Sequence, residues 1–184
     1  MDISEFIQES KDKGLRYAVL KKWDTPPPYV DFYNLHGRDE VDRITIKDKK
    51  FDSSNFFLEQ CIQAYPNRDY DHFIMQSNLY RNNSDLAGTR LHKDPYDILH
   101  WQCVGATEWK IGLGGKHNSE PIRQREVQPG VFYYLFDSSW EHEPETILLE
   151  PGDLLWFSAG VWHETINITE KYALVFEAKE EIKN

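Results

Sequence analysis

The order of apolar and polar positions changes character near residue 73. Before it, Ile3, Phe6 and Ile7 recur at helical spacing, which predicts a helix over 3–12 with Gly14 as its stop. Tyr17 to Leu20 read as a strand. The Pro26-Pro27-Pro28 run forbids regular structure and predicts a stiff connection across a surface. Phe56, Phe57, Gln60 and Cys61 follow i, i+3, i+4 spacing behind a Ser/Asn cap, which predicts a second helix over 53–64, ending before Pro66. From Phe73 onward the period is two. Segments at 72–80, 96–104, 107–113, 131–136, 145–150, 153–158 and 171–178 are short, aromatic and β-branched, with Asn, Gly and Pro-Gly turn signals between them. The reading is a mainly β sandwich or barrel preceded by one or two helices.

Composition narrows this. A chain of 184 residues that is 40% hydrophobic and 14% aromatic is one domain with enough apolar area for a core. With 31 acidic and 21 basic residues the net charge is −10, which argues against a general grip on nucleic acid or an anionic membrane surface, because both need a basic footprint. A basic partner fits that charge. Cys61 and Cys103 stand far apart, outside any metal or disulfide spacing. No stretch of about 18 apolar residues occurs and the first residues lack an apolar leader core, so the expectation is a cytoplasmic protein with no membrane association.

Two of the seven histidines stand where metal ligands would. In Leu91-His92-Lys93-Asp94, entering a strand, His92 and Asp94 are two apart and project to one face, while Lys93 points away. Further on, a Pro151-Gly152-Asp153 turn launches an apolar strand, Gly160 makes a corner, and His163 follows among aromatics, 69 residues beyond Asp94 (163 − 94). Either context alone fits a histidine satisfied by a neighbouring carbonyl. Together, two imidazoles and a carboxylate make a facial triad, which leaves three adjacent octahedral positions for substrate and dioxygen.

Three segments, Gly88-Thr89-Arg90-Leu91-His92-Lys93-Asp94, Gln102-Cys103-Val104-Gly105 ending in Trp109, and Pro151-Gly152-Asp153-Leu154-Leu155 through Gly160 to His163, resemble the JmjC-type members of the cupin superfamily. Those are small iron(II) and 2-oxoglutarate oxygenases, and the resemblance spans roughly residues 73–178. It implies a double-stranded β-helix (cupin jelly roll), with 73–178 as barrel core and 1–72 as N-terminal cover of a single domain over 1–184. It further implies that His92, Asp94 and His163 hold Fe(II) and form the catalytic centre. Family members decarboxylate 2-oxoglutarate with dioxygen and oxidise a substrate C–H bond, usually to an alcohol.

The chain departs from the family at the distal carboxylate of 2-oxoglutarate. The usual lysine position is Thr107 and a frequent asparagine position is Ile98, while Thr89 keeps the threonine three before the first histidine. Because a buried carboxylate without a counter-charge is costly, the use of 2-oxoglutarate stays open. By period two, Tyr96, Ile98, His100 and Gln102 face inward with the triad, so His100 either replaces the lysine or is a satisfied core histidine. Thr89, His100 and Thr107 are thus the candidate co-substrate residues. Lys110 should face away from Thr107, and Lys171 and Arg90 could reach the mouth from elsewhere, although such residues are more often solvated charges. Trp101 and Trp162 flank the site and either wall the pocket or, as is commoner in small barrels, are core; His142 and Glu143 in a polar loop either gate the mouth or are solvated; and Gly112 to His117 read as a hairpin connection. The leading reading is an iron oxygenase acting with dioxygen on a small molecule or peptide. Its rivals are an iron oxygenase whose substrate itself chelates the metal, and a cupin that binds without chemistry.

Overall fold

The computed structural model describes residues 1–26, 43–45, 52–77, 89–128, 131–169 and 171–181. Helix α1 (Ile3–Asp12) begins where Asp2 accepts the Glu5 N–H and the Glu5 side chain reaches back to the Asp2 N–H, a reciprocal capping box. Helix α2 (Asp52–Ala64) follows the predicted span within one residue. The strands are β1 (Tyr17–Leu20), β2 (Arg43–Thr45), β3 (Arg68–Ser77), β4 (His92–Lys93), β5 (Asp97–Val104), β6 (Thr107–Gly112), β7 (Gly115–Gln128), β8 (Val131–Trp140), β9 (Glu145–Leu149), β10 (Leu154–Phe157), β11 (Trp162–Asn167) and β12 (Lys171–Glu181).

Every pairing is antiparallel. One sheet runs β1-β10-β5-β12-β3-β2, a second runs β4-β11-β6-β9, and β7 and β8 form a long two-stranded hairpin. The strand period sorts side chains to two interiors. Leu99, Trp101 and Cys103 of β5, Leu154 and Trp156 of β10, and Leu174 and Phe176 of β12 point outward to Ile3, Phe6 and Ile7 of α1 and Phe57 and Cys61 of α2. Ile98, Leu155, Phe157 and Val175 point the other way, to Trp109, Ile111 and Leu149 of the smaller sheet. The space between the two sheets is the barrel interior, and the jelly-roll expectation holds.

All eight expected strands are present, Tyr17–Leu20 as β1 and the seven later segments, with β3 beginning earlier than expected; positions 78–80 of that segment, like Pro27 and Pro28 of the proline run, lie outside the described residues. Four strands are additional: β2, β4, β7 and β11. The sequence hides β11 because its inward positions are His163 and Thr165, so no apolar alternation marks it. It hides β7 because Gly115–Gln128 carries only two aliphatic residues, Ile122 and Val127, too few to mark an alternation. The connection expected over Gly112 to His117 therefore shrinks, since Gly115, Lys116 and His117 already belong to β7. Gly115 is required there: a Cβ would land on the Trp162 indole that packs against the hairpin. Among the described residues no helix is long and apolar enough to cross a membrane.

Candidate metal centre

The site is assembled by main-chain pairing between segments far apart in sequence. Strands β4 and β11 pair with His92 opposite His163, and β11 pairs on its other side with β6, placing His163 opposite Ile111. Asp94 leaves β4 at once, and its carbonyl accepts the Gly160 N–H at 2.8 Å. Gly160 has φ +80°, a left-handed turn that a side chain would strain, and this turn delivers Val161 and His163 beside Asp94.

Nε2 of His92 lies 3.6 Å from Asp94 Oδ2, and Nε2 of His163 lies 3.4 Å from the same oxygen. One donor atom from each of the three residues falls within 4.8 Å of the others. Metal–ligand bonds of about 2.0–2.2 Å separate adjacent octahedral donors by about 3 Å, so the two carboxylate separations need to contract by only about half an ångström. The ring orientations are already fixed. Nδ1–H of His92 donates to the Arg90 carbonyl at 2.6 Å, and Nδ1–H of His163 donates to the Val161 carbonyl at 3.1 Å. A carbonyl only accepts, so both protons sit on Nδ1 and both Nε2 lone pairs turn toward Asp94, the tautomer a metal requires. Burial, then the neighbouring His92, push the His163 imidazole down to about 3 against the pull of its Val161 bond, so it is neutral and able to ligate. Exposure grades across the triad: the His163 side chain is 4% exposed, Asp94 19% and His92 40%. His163 is the floor and His92 the rim.

The walls are aromatic near the metal ligands and polar beyond them. Phe157 and Trp109 lie with ring centroids 4.5 and 5.7 Å from the His163 ring, and His100 meets Trp109 edge-on at 5.0 Å. The Gln102 amide is oriented by two carbonyls, Val104 at 2.7 Å and Gly105 at 3.1 Å, which take its NH₂. Its Oε1 therefore accepts from His100 Nε2–H at 3.2 Å and from the Thr107 hydroxyl at 3.3 Å. That leaves His100 Nδ1, and separately Trp109 Nε1–H, buried with no hydrogen-bond partner among the described residues. Burial, then the charge of Lys171, hold His100 near 3, although its Gln102 bond works in the opposite direction. Thr89 closes another side: its N–H bonds Thr165 Oγ1 at 2.9 Å, its hydroxyl meets the same oxygen at 3.0 Å, and its carbonyl takes the Thr165 N–H at 3.0 Å.

A JmjC domain model matches residues 50–181. The chain belongs to the JmjC domain family. Over 189 aligned residues it is 25% identical to the bifunctional lysine-specific demethylase and histidyl-hydroxylase NO66 of Dictyostelium discoideum, covering 92% of this chain and 34% of that protein. Among solved structures it is similar to YcfD of Escherichia coli, at TM-score 0.60 and 17% identity over 100% of this chain and 54% of that one. Similar too is that ribosomal oxygenase in complex with cobalt and 2-oxoglutarate, at TM-score 0.55 and 18% identity, covering 97% and 52%. The chain thus spans about a third of the curated relative and about half of the solved ones.

Within this JmjC domain, the expected ligands His92, Asp94 and His163 are brought together; His100 and Thr107 are fully buried and joined through Gln102, and Thr89 is bonded to Thr165, two residues beyond His163. Lys110 faces the opposite side and pairs with Glu164 at 3.6 Å, as alternation predicts. Trp101 packs on the helix side against Trp23 and Phe57, and Trp162 lies under the hairpin with His117, so neither walls the pocket. One expectation is overturned: Lys171 is not solvated but 2% exposed. It opens β12, and period two places it on the same inward face as Ala173 and Val175, a signal already present in Lys-x-Ala-x-Val. Trp109 and Phe157, the aromatic walls, follow the same alternation; the sequence offers Trp109 as the end of a resemblance segment and Phe157 as a strand residue, with no signal that either faces the triad.

Proposed function

We propose that this JmjC domain is a mononuclear iron(II) oxygenase that uses 2-oxoglutarate and dioxygen to oxidise a C–H bond of a small molecule or peptide. The observation that carries this reading is the convergence of two tautomer-fixed Nε2 lone pairs on one carboxylate at a half-open mouth. The complex of YcfD with cobalt and 2-oxoglutarate supports it from a protein of the same fold. His92, Asp94 and His163 fit a divalent cation by donor type, spacing and protonation, and would hold it from one side. Bound iron(II) with 2-oxoglutarate supplies the activation of dioxygen that attack on an unactivated C–H bond demands. The chain contributes position and dryness. Backbone carbonyls of Arg90 and Val161 hold the two rings in their ligating orientation, and Phe157 and Trp109 keep water from the His163 side. Substrate enters at the exposed rim beside His92.

Anaerobic iron(II) titration followed by oxygen-dependent release of succinate from 2-oxoglutarate tests this. The wild type is expected to bind iron and release succinate. Asp94→Ala should lose iron affinity and at least about 100-fold of the succinate rate, since even the groups that merely orient metal ligands are worth 10–100-fold. Iron binding with no succinate under any condition would sink the co-substrate reading while leaving the metal centre.

A further inference from the structure

This inference rests on the 2-oxoglutarate reading above and names the residue that makes it possible. We propose that Lys171 of β12 is the counter-charge for the carboxylate of 2-oxoglutarate remote from the metal, so that the cationic anchor reaches the barrel interior from the larger sheet instead of from Thr107 on β6.

A dicarboxylate bound through its 2-oxo acid end leaves a second carboxylate in the barrel, and removing that charge from water is tolerable only beside a cation or several donors. Thr107 is fully buried but short, and its hydroxyl is already committed to Gln102 Oε1. Arg90 is exposed. Lys171 is a basic side chain on the inward face, 2% exposed, at period-two spacing from the buried Ala173 and from Val175, which packs in the interior cluster. Its location is tied to the metal ligands by electrostatics through one residue. The charge of Lys171 acts on His100, and His100 also feels His163.

A second observation points to a ligand at the same place. Of the three buried side-chain polar atoms with no partner among the described residues, two, His100 Nδ1 and Trp109 Nε1, belong to rings in edge contact on the inward face, the second of them beside the His163 ring. Native interiors seldom leave such atoms unmatched unless something else satisfies them. Trp109 Nε1–H is a donor suited to a carboxylate oxygen. His100 Nδ1, the acceptor that remains once Nε2–H is given to Gln102, suits an ordered water beside that carboxylate.

The test is binding, not turnover. Anaerobic cobalt(II)-loaded protein is titrated with 2-oxoglutarate and with pyruvate, which keeps the 2-oxo acid and lacks the distal carboxylate, and affinity is read from the metal absorption and by calorimetry. Wild type should bind 2-oxoglutarate about 100-fold or more tighter than pyruvate, the scale expected for one buried charge pair. Lys171→Met, which keeps volume, should erase that preference while cobalt affinity and pyruvate affinity stay within about threefold. Lys171→Arg should retain much of it. If Lys171→Met binds 2-oxoglutarate as well as wild type does, or if Met and Arg weaken it equally, the assignment of Lys171 is overturned and the co-substrate reading survives. If wild type binds cobalt but neither acid, the co-substrate reading itself fails and the anchor falls with it. Should Lys171→Met not fold, equal affinity of wild type for the two acids would overturn the assignment by itself.

Discussion

The two faces of the six-stranded sheet are made by the same strands and do opposite work. On β5 the outward residues are Leu99, Trp101 and Cys103, and the inward ones are Ile98, His100 and Gln102. On β12 the outward set is Tyr172, Leu174 and Phe176, and the inward set is Lys171, Ala173 and Val175. The outward face meets two amphipathic helices and is closed with hydrocarbon and aromatic rings, so its energetics are those of burial. The inward face gives up part of that burial to seat an imidazole, an amide and a lysine side chain, His100, Gln102 and Lys171. Burying polar groups is expensive unless each is matched. Among the described residues three buried side-chain polar atoms are unmatched, and two of them, His100 Nδ1 and Trp109 Nε1, lie on the interior side by the metal ligands, while Trp101 Nε1 lies on the helix side. That contrast separates a stabilising layer from a functional one within a single sheet.

The contrast can be broken most forcefully from the outer side. Leu99→Ala empties a fully buried site on the helix face and should lower unfolding free energy by about 2–5 kcal/mol, read from urea denaturation. Cobalt affinity of the folded fraction should not change. A loss of metal affinity in step with stability would mean that the two layers are not separable.

Gln102→Leu probes the inner side more gently. It removes the amide that orders His100 and Thr107 and caps the Val104 and Gly105 carbonyls, leaving polar groups buried without partners. The expected cost is about 1–3 kcal/mol in the same denaturation experiment. A neutral or stabilising result would show that the inner polar network is no more demanding than the apolar layer.

The smallest effect is a pH slope. His100 is held near 3 in the folded chain, below its ordinary value of 6.5, because burial and Lys171 disfavour its charged form. Between those two values the unfolded chain binds the extra proton and the folded one does not. Stability is therefore fully present above about 6.5 and falls as pH drops toward 3, by at most about 1.4 kcal/mol per pH unit from this group. Metal-free wild type should show a falling urea midpoint from pH 7 to pH 5, and His100→Gln should flatten that fall. An unchanged slope in the variant would place His100 in contact with water.

The helices, eight strands and the three metal-ligand candidates were legible because each rests on a local signal. Asp2 and Glu5 form the α1 cap within one turn, apolar alternation marks β5, β10 and β12, and His92 and Asp94 are two residues apart. β11 was not legible, because the residue types that make it functional remove the alternation that would reveal it. Lys171 was misread for a related reason. A lysine at the head of a strand is ordinarily solvated, and only the sheet beyond it decides whether its inward side opens to water or to a closed interior.

Local periodicity and a short-range pair of ligands were thus written in the chain itself: amphipathic helices, alternating strands, and His92 with Asp94. Bringing His163 to them across 69 residues required the β4–β11 pairing and the Gly160 turn, which are non-local hydrogen bonds. The protonation of the imidazoles and the burial of Lys171 depend on which groups surround them in space, and only the packed barrel sets that dielectric.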